Sequence, residues 1–155
     1  MRSTYRVLAY LIAAEVVIQA SAIAYAVFGL TKYIDDGAVV DKATQETGET
    51  FEGVVGFIVH GINGSTVIPA IALVLLVVSF FARIPGGVRW AGALVALVVL
   101  QVTLGMFAHG LPLLGALHGI NALAVFAVAV VAGRRARSGP MRAAPTTSTA
   151  DRAVV

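Results

Sequence analysis

The chain has 155 residues, of which 59% are apolar and only 12% charged, with a mean hydropathy of +0.91. That balance excludes an ordinary soluble domain and points to a membrane protein. The absence of cysteine excludes disulfides, thiolate metal sites and cysteine nucleophiles, and the net charge of +3 does not indicate nucleic acid, because the basic residues stand beside apolar runs rather than among aromatics.

The first apolar run covers about residues 6–30. Arg2 and Arg6 precede it and "SAIAYA" offers small-x-small sites, as in a signal peptide, but the run is too long for an h-region and carries Glu15. It is read as a transmembrane helix, with Glu15 and Gln19 one turn apart as a possible proton or polar site and Tyr5 and Tyr33 as interfacial anchors. A polar connection over 31–52 follows, with six carboxylates against two lysines. The second run, 53–82, contains His60-Gly61-Ile62-Asn63, and Pro69, which frees the carbonyl of Ser65 and marks a kink. The third, 88–111, carries Trp90 as an anchor, Gln101, and His109 at its watery end. The fourth, 112–133, contains His118-Gly119-Ile120-Asn121. Each run reaches the ~20 residues that cross a hydrocarbon core.

The expected fold is therefore an all-α integral membrane four-helix up-down bundle, with a transmembrane domain over 1–137 and a disordered cytoplasmic tail over 138–155. Arginines 2, 6, 83, 89, 134, 135 and 137 all fall at one end of the bundle, so both termini are expected in the cytoplasm and the chain in the inner (plasma) membrane.

The tetrapeptide HGIN uses two of the three histidines and both asparagines of the chain. Ahead of each copy stands a matching stretch, Val16–Ala20 ("VVIQA") and Val98–Val102 ("VVLQV"), so each half reads as a helix with Gln followed by a helix with His-Gly-Ile-Asn. Two spans per half make this a parallel repeat about an axis along the membrane normal. At the helical rise, His60 lies about 12 Å inside Glu52 and His118 about 9 Å inside Pro112, which puts both at one level towards the acidic side.

Second and fourth helices of an up-down bundle are diagonal, roughly 14 Å apart when neighbours are 8–10 Å apart. Two inward imidazoles at ~2.0 Å from one iron fill that distance, so His60 and His118 are the expected metal ligands of a haem. Gly56 and Gly64 flank His60, and Gly115 and Ala122 flank His118, at the spacing that would leave room for a macrocycle. Asn63 and Asn121 lie three residues beyond each histidine and would line the same cofactor pocket, with Gln101 facing inward as the counterpart of Gln19. The alternative is that the histidines and asparagines bond across helices and that the small residues serve helix packing without any ligand.

On these residues the chain resembles one four-helix half of the haem A synthase group. Gln101 and Gly105, followed after a turn by the His118 helix, and "GFIVHGINGSTVIPAIALVL" around His60 carry the likeness, which extends over all four helices. The resemblance implies two histidines flanking a haem, at His60 and His118. Departures are clear: there is one half instead of two, Phe57 and its neighbours are apolar where that group has an acidic residue, Gly61 stands where an arginine is expected, and outer-loop cysteines are missing. In appearance the chain is also similar to small four-helix bacterial membrane proteins of b-type cytochrome character.

The expected function is haem b-binding electron transport by a cytochrome b-like protein in the lipid bilayer, exchanging electrons with a quinone or a membrane redox complex, and any enzymatic activity would be that of a membrane oxidoreductase or haem-related enzyme. A homo-oligomer is compatible with this reading. The alternative is a haem-free accessory or assembly subunit of a larger membrane complex.

Overall fold

The computed structural model describes residues 1–48 and 50–137. The tail expected over 138–155 lies outside the described residues. Six α-helical segments appear in chain order: α1 (Arg2–Asp35), α2 (Lys42–Thr47), α3 (Val54–Ile62), α4 (Ile68–Ala82), α5 (Gly87–Phe107) and α6 (Pro112–Arg135). A π-helical turn, Asn63–Val67, joins α3 to α4, so residues 54–82 form one continuous span. Together with α1, α5 and α6 this gives four helices long and apolar enough to cross a membrane.

Boundaries depart from the sequence reading at the first and third helices, the first starting at Arg2, four residues before the expected 6. The first helix continues five residues past the expected end, to Asp35, because its polar last turn is helix-compatible: Lys32 donates to Asp36 at 2.8 Å across one turn. The third helix stops at Phe107, short of the expected 111, and His109 falls in the exposed turn before Pro112. The acidic connection also contains a helix of its own, α2, started by a capping box in which Asp41 accepts from the Thr44 N–H at 2.9 Å.

The π turn has a sequence cause. Pro69 has no N–H to offer the Ser65 carbonyl, so the i→i−4 ladder cannot continue unchanged there, and the backbone takes up the mismatch one turn earlier. The expected kink is thus a local rewinding, and it begins three residues after His60.

Helices pack around a ring: α1 on α3 and α4, α4 on α5, α5 on α6, and α6 back on α1. The second and fourth spans are accordingly diagonal. Packing differs sharply along the axis. The buried apolar cluster is drawn from Tyr5–Ala13, Ile68–Ile84, Ala91–Val98 and Val125–Ala136, all at the end where the N-terminus lies. Tyr5 anchors it, with its hydroxyl donating to the Gly87 carbonyl at 3.0 Å, while Arg2 donates to the Arg83 carbonyl at 2.6 Å and Arg135 lies over Trp90 at 5.0 Å.

In the other half, the buried residues are small or polar: Gln19, Ala26, Gly53, Gly56 and Asn121. Here α1 and α3 approach through backbone instead of side chains. Gly29 meets the Glu52 carbonyl, Gly56 faces the Ala22 carbonyl, and Gly53, at φ 97°, starts α3 in a conformation that other residues rarely adopt.

Candidate functional site

The polar residues that the sequence singled out converge in this second half of the bundle. His60 and His118 come from the two diagonal spans and meet on the axis, with ring centroids 6.0 Å apart and planes tilted by 57°. Both are half-buried.

Each imidazole approaches the main chain of the preceding span at the matching glutamine. His118 Nδ1 lies 2.9 Å from the main-chain oxygen of Gln101, and His60 Nδ1 lies 3.3 Å from the main-chain oxygen of Gln19. A carbonyl can only accept, so the 2.9 Å contact of His118 uses an Nδ1–H and leaves Nε2 free of that bond, while at His60 the Gln19 side-chain amide lies closer to Nδ1, at 2.7 Å, than the carbonyl does. Neither Nε2 has a hydrogen-bond partner among the described residues, and no buried side-chain nitrogen or oxygen among them lacks one, so both Nε2 atoms face accessible space.

The asparagines repeat the pattern. Asn121 donates to the Gln101 side-chain oxygen at 2.7 Å and to the Leu97 main-chain oxygen at 2.9 Å. Asn63 donates to the Gln19 side-chain oxygen at 2.9 Å, with that amide in the orientation that satisfies its surroundings. Its other contact is to Glu15 Oε2, at 2.7 Å. The two Gln–His–Asn sets therefore occupy matching places, and Glu15 is one departure from their symmetry, since the residue in its place in the second half is Leu97.

The small residues divide differently from the expectation. Gly56 and Gly64 do not leave an open face beside His60. A side chain at Gly56 would run into Ala22 and Ala26 of α1, and one at Gly64 would meet the Gln19 amide at 3.3 Å, so the first helix fills that side. Gly115 sits in ordinary contact with Ala108, and Ala122 is half-buried. The glycine that makes room for an imidazole is Gly105, where an added Cβ would lie 3.1 Å from the His118 ring. It was visible in the sequence only as part of the Gln101–Gly105 stretch, because the contact depends on how α5 faces α6. His109 is exposed and takes no part in the cluster. No group of three or more His, Cys, Asp or Glu able to hold a metal occurs among the described residues, so any metal here would rest on the histidine pair.

Fold and site define a multi-pass four-helix bundle with a duplicated Gln–His–Asn cluster in its interior. Residues 50–109 match a family of unknown function, DUF6220, a stretch that includes the second span and the third. No curated protein and no solved structure matches the chain.

Proposed function

We propose that this protein binds haem b between His60 and His118 and serves in membrane electron transfer. The ring pair carries the reading. An iron held at ~2.0 Å by one nitrogen of each ring, with about 1 Å from nitrogen to ring centre, requires centroids roughly 6 Å apart. The observed separation is 6.0 Å. The contact of His118 Nδ1 with the Gln101 main-chain carbonyl supports it, since ligating histidines characteristically donate their other N–H to such an acceptor.

When bound, a bis-histidine haem supplies one-electron chemistry with no open iron position. The chain's own residues hold the rings: the Gln101 carbonyl fixes His118, Gly105 admits its ring, and Asn63 and Asn121 bind the glutamines that flank both. A quinone or a membrane redox complex is the electron partner in this reading, and the arginine-rich end of the bundle faces the cytoplasm. Reduced-minus-oxidised absorption of the detergent-purified protein, expressed with ample haem, tests it. A low-spin b-type spectrum at one haem per chain is expected.

A protein that stays colourless would favour the second reading, a haem-free accessory or assembly subunit. The same 6.0 Å lies within the range of ordinary aromatic pairs, so the rings can close the bundle by themselves.

A further inference from the structure

The two histidine sets match except at one nitrogen. His118 Nδ1 is 2.9 Å from a carbonyl oxygen, so it carries the proton, and Nε2 of the neutral ring holds a lone pair. At His60 the corresponding carbonyl is farther, 3.3 Å, and the Gln19 side-chain amide comes closer, to 2.7 Å from Nδ1.

The orientation of that amide decides the state of the ring. With its oxygen towards His60, Gln19 would set oxygen against the His60 carbonyl and its nitrogen against two donors, the Gly64 N–H and the Asn63 amide. Turned over, its nitrogen donates to Nδ1 at 2.7 Å and to the His60 carbonyl at 3.1 Å, while its oxygen accepts from Gly64 at 3.2 Å and Asn63 at 2.9 Å. The second orientation satisfies all four contacts of the Gln19 amide, and in it Nδ1 is an acceptor and the 3.3 Å approach to the main-chain oxygen is not a hydrogen bond. The proton of the neutral His60 ring then sits on Nε2.

We infer that the two histidines are held in opposite tautomers, with Gln19 as the positioning residue that keeps the ring proton of His60 on Nε2, while Nε2 of His118 keeps a lone pair. The π turn is the physical source of the difference. It starts at Asn63 and presents the Gly64 N–H to Gln19, whereas α6 continues as α-helix through the matched Asn121 and Ala122. The consequence for a ligand rests on the haem reading: His118 is the standing ligand, and His60 joins only after the Gln19 amide turns to accept from Nδ1–H. The tautomers themselves do not depend on haem.

Nitrogen-15 NMR of histidine-labelled, haem-free protein in detergent reads them directly, with His109→Gln to assign the third ring. One Nε2–H ring and one Nδ1–H ring are expected in the wild-type chain. Gln19→Met keeps the volume but removes the amide donor, leaving the main-chain carbonyl of residue 19 as the partner, so His60 should convert to the Nδ1–H form. Gln101→Met should leave His118 unchanged, because its bond is to main chain. Matching tautomers in the wild type, or a Gln19→Met variant whose His60 does not convert, would overturn the inference. Opposite tautomers in a chain that never takes up haem would uphold it and remove only the haem reading.

Discussion

Asn63 donates to the Glu15 carboxyl at 2.7 Å at the place where its counterpart Asn121 donates to the main-chain oxygen of Leu97 at 2.9 Å. One half of the repeat thus uses an intramembrane carboxyl for a bond that the other half makes with backbone, and the carboxyl is not needed to build the cluster. Glu15→Gln keeps an oxygen acceptor and should leave stability unchanged. Glu15→Leu strands one N–H of Asn63 and should cost about 1 kcal/mol, the scale of a hydrogen bond between membrane helices. Unfolding of the purified variants in mixed micelles separates the two outcomes.

Glycines in the two halves of the cluster should respond unequally to a single methyl group. Gly56→Ala drives a Cβ into the Ala22 carbonyl and Ala26, so α1 and α3 must separate; a loss of about 1–3 kcal/mol is expected, read as less folded protein in the membrane. Gly115→Ala meets only Ala108 at 3.8 Å and should be neutral. Gly105→Ala presses on the His118 ring at 3.1 Å, and its effect should appear in the His118 imidazole resonances while those of His60 stay in place.

These differences show where sequence reading stops. Spans, the repeat and the meeting of His60 with His118 were legible, because long apolar runs fix helices and a tetrapeptide made of rare residues fixes register. Helix facing was not. A glycine one turn from a histidine serves a ligand or a neighbouring helix equally well in sequence, and Gly56 turned out to serve α1. Pro69 signalled a disturbance but not its form, since a kink and a π turn satisfy the same missing N–H. The bond between Glu15 and Asn63 was hidden for the same reason: it needs the angular setting of α1 against the second span.

The short helix of the acidic connection gives a pH dependence. The Thr44 main-chain N–H, followed by its hydroxyl, holds the exposed Asp41 carboxyl below its usual range. A carboxyl whose folded value is depressed stabilises its helix above the unfolded value and loses that contribution as pH falls through the folded one. Protection of the Thr44 amide, its exchange rate measured against that of the unstructured chain at the same pH, should therefore be present at neutral pH and be lost in acid below the ordinary carboxylate range. Asp41→Ala should lack that protection at neutral pH as well, with the four spans unaffected.

The histidine pair supplies the most direct test of the haem reading. Only His60 and His118 bring an imidazole to the bundle axis, and their 6.0 Å separation leaves no third ring within the arrangement; His109 is exposed in the turn after α5. Alanine at His60 or at His118 should therefore abolish a low-spin bis-histidine spectrum, and alanine at His109 should preserve it. The two losses should differ in kind. Without His118 the remaining ring is the one whose Nε2 Gln19 keeps protonated, so haem retention should fall furthest there; without His60, the ring fixed by the Gln101 carbonyl at 2.9 Å should still hold haem in a five-coordinate form that binds carbon monoxide. Equal retention in both single variants would show that the two histidines are interchangeable as ligands, and loss of folded protein in parallel with loss of colour would return the pair to helix packing.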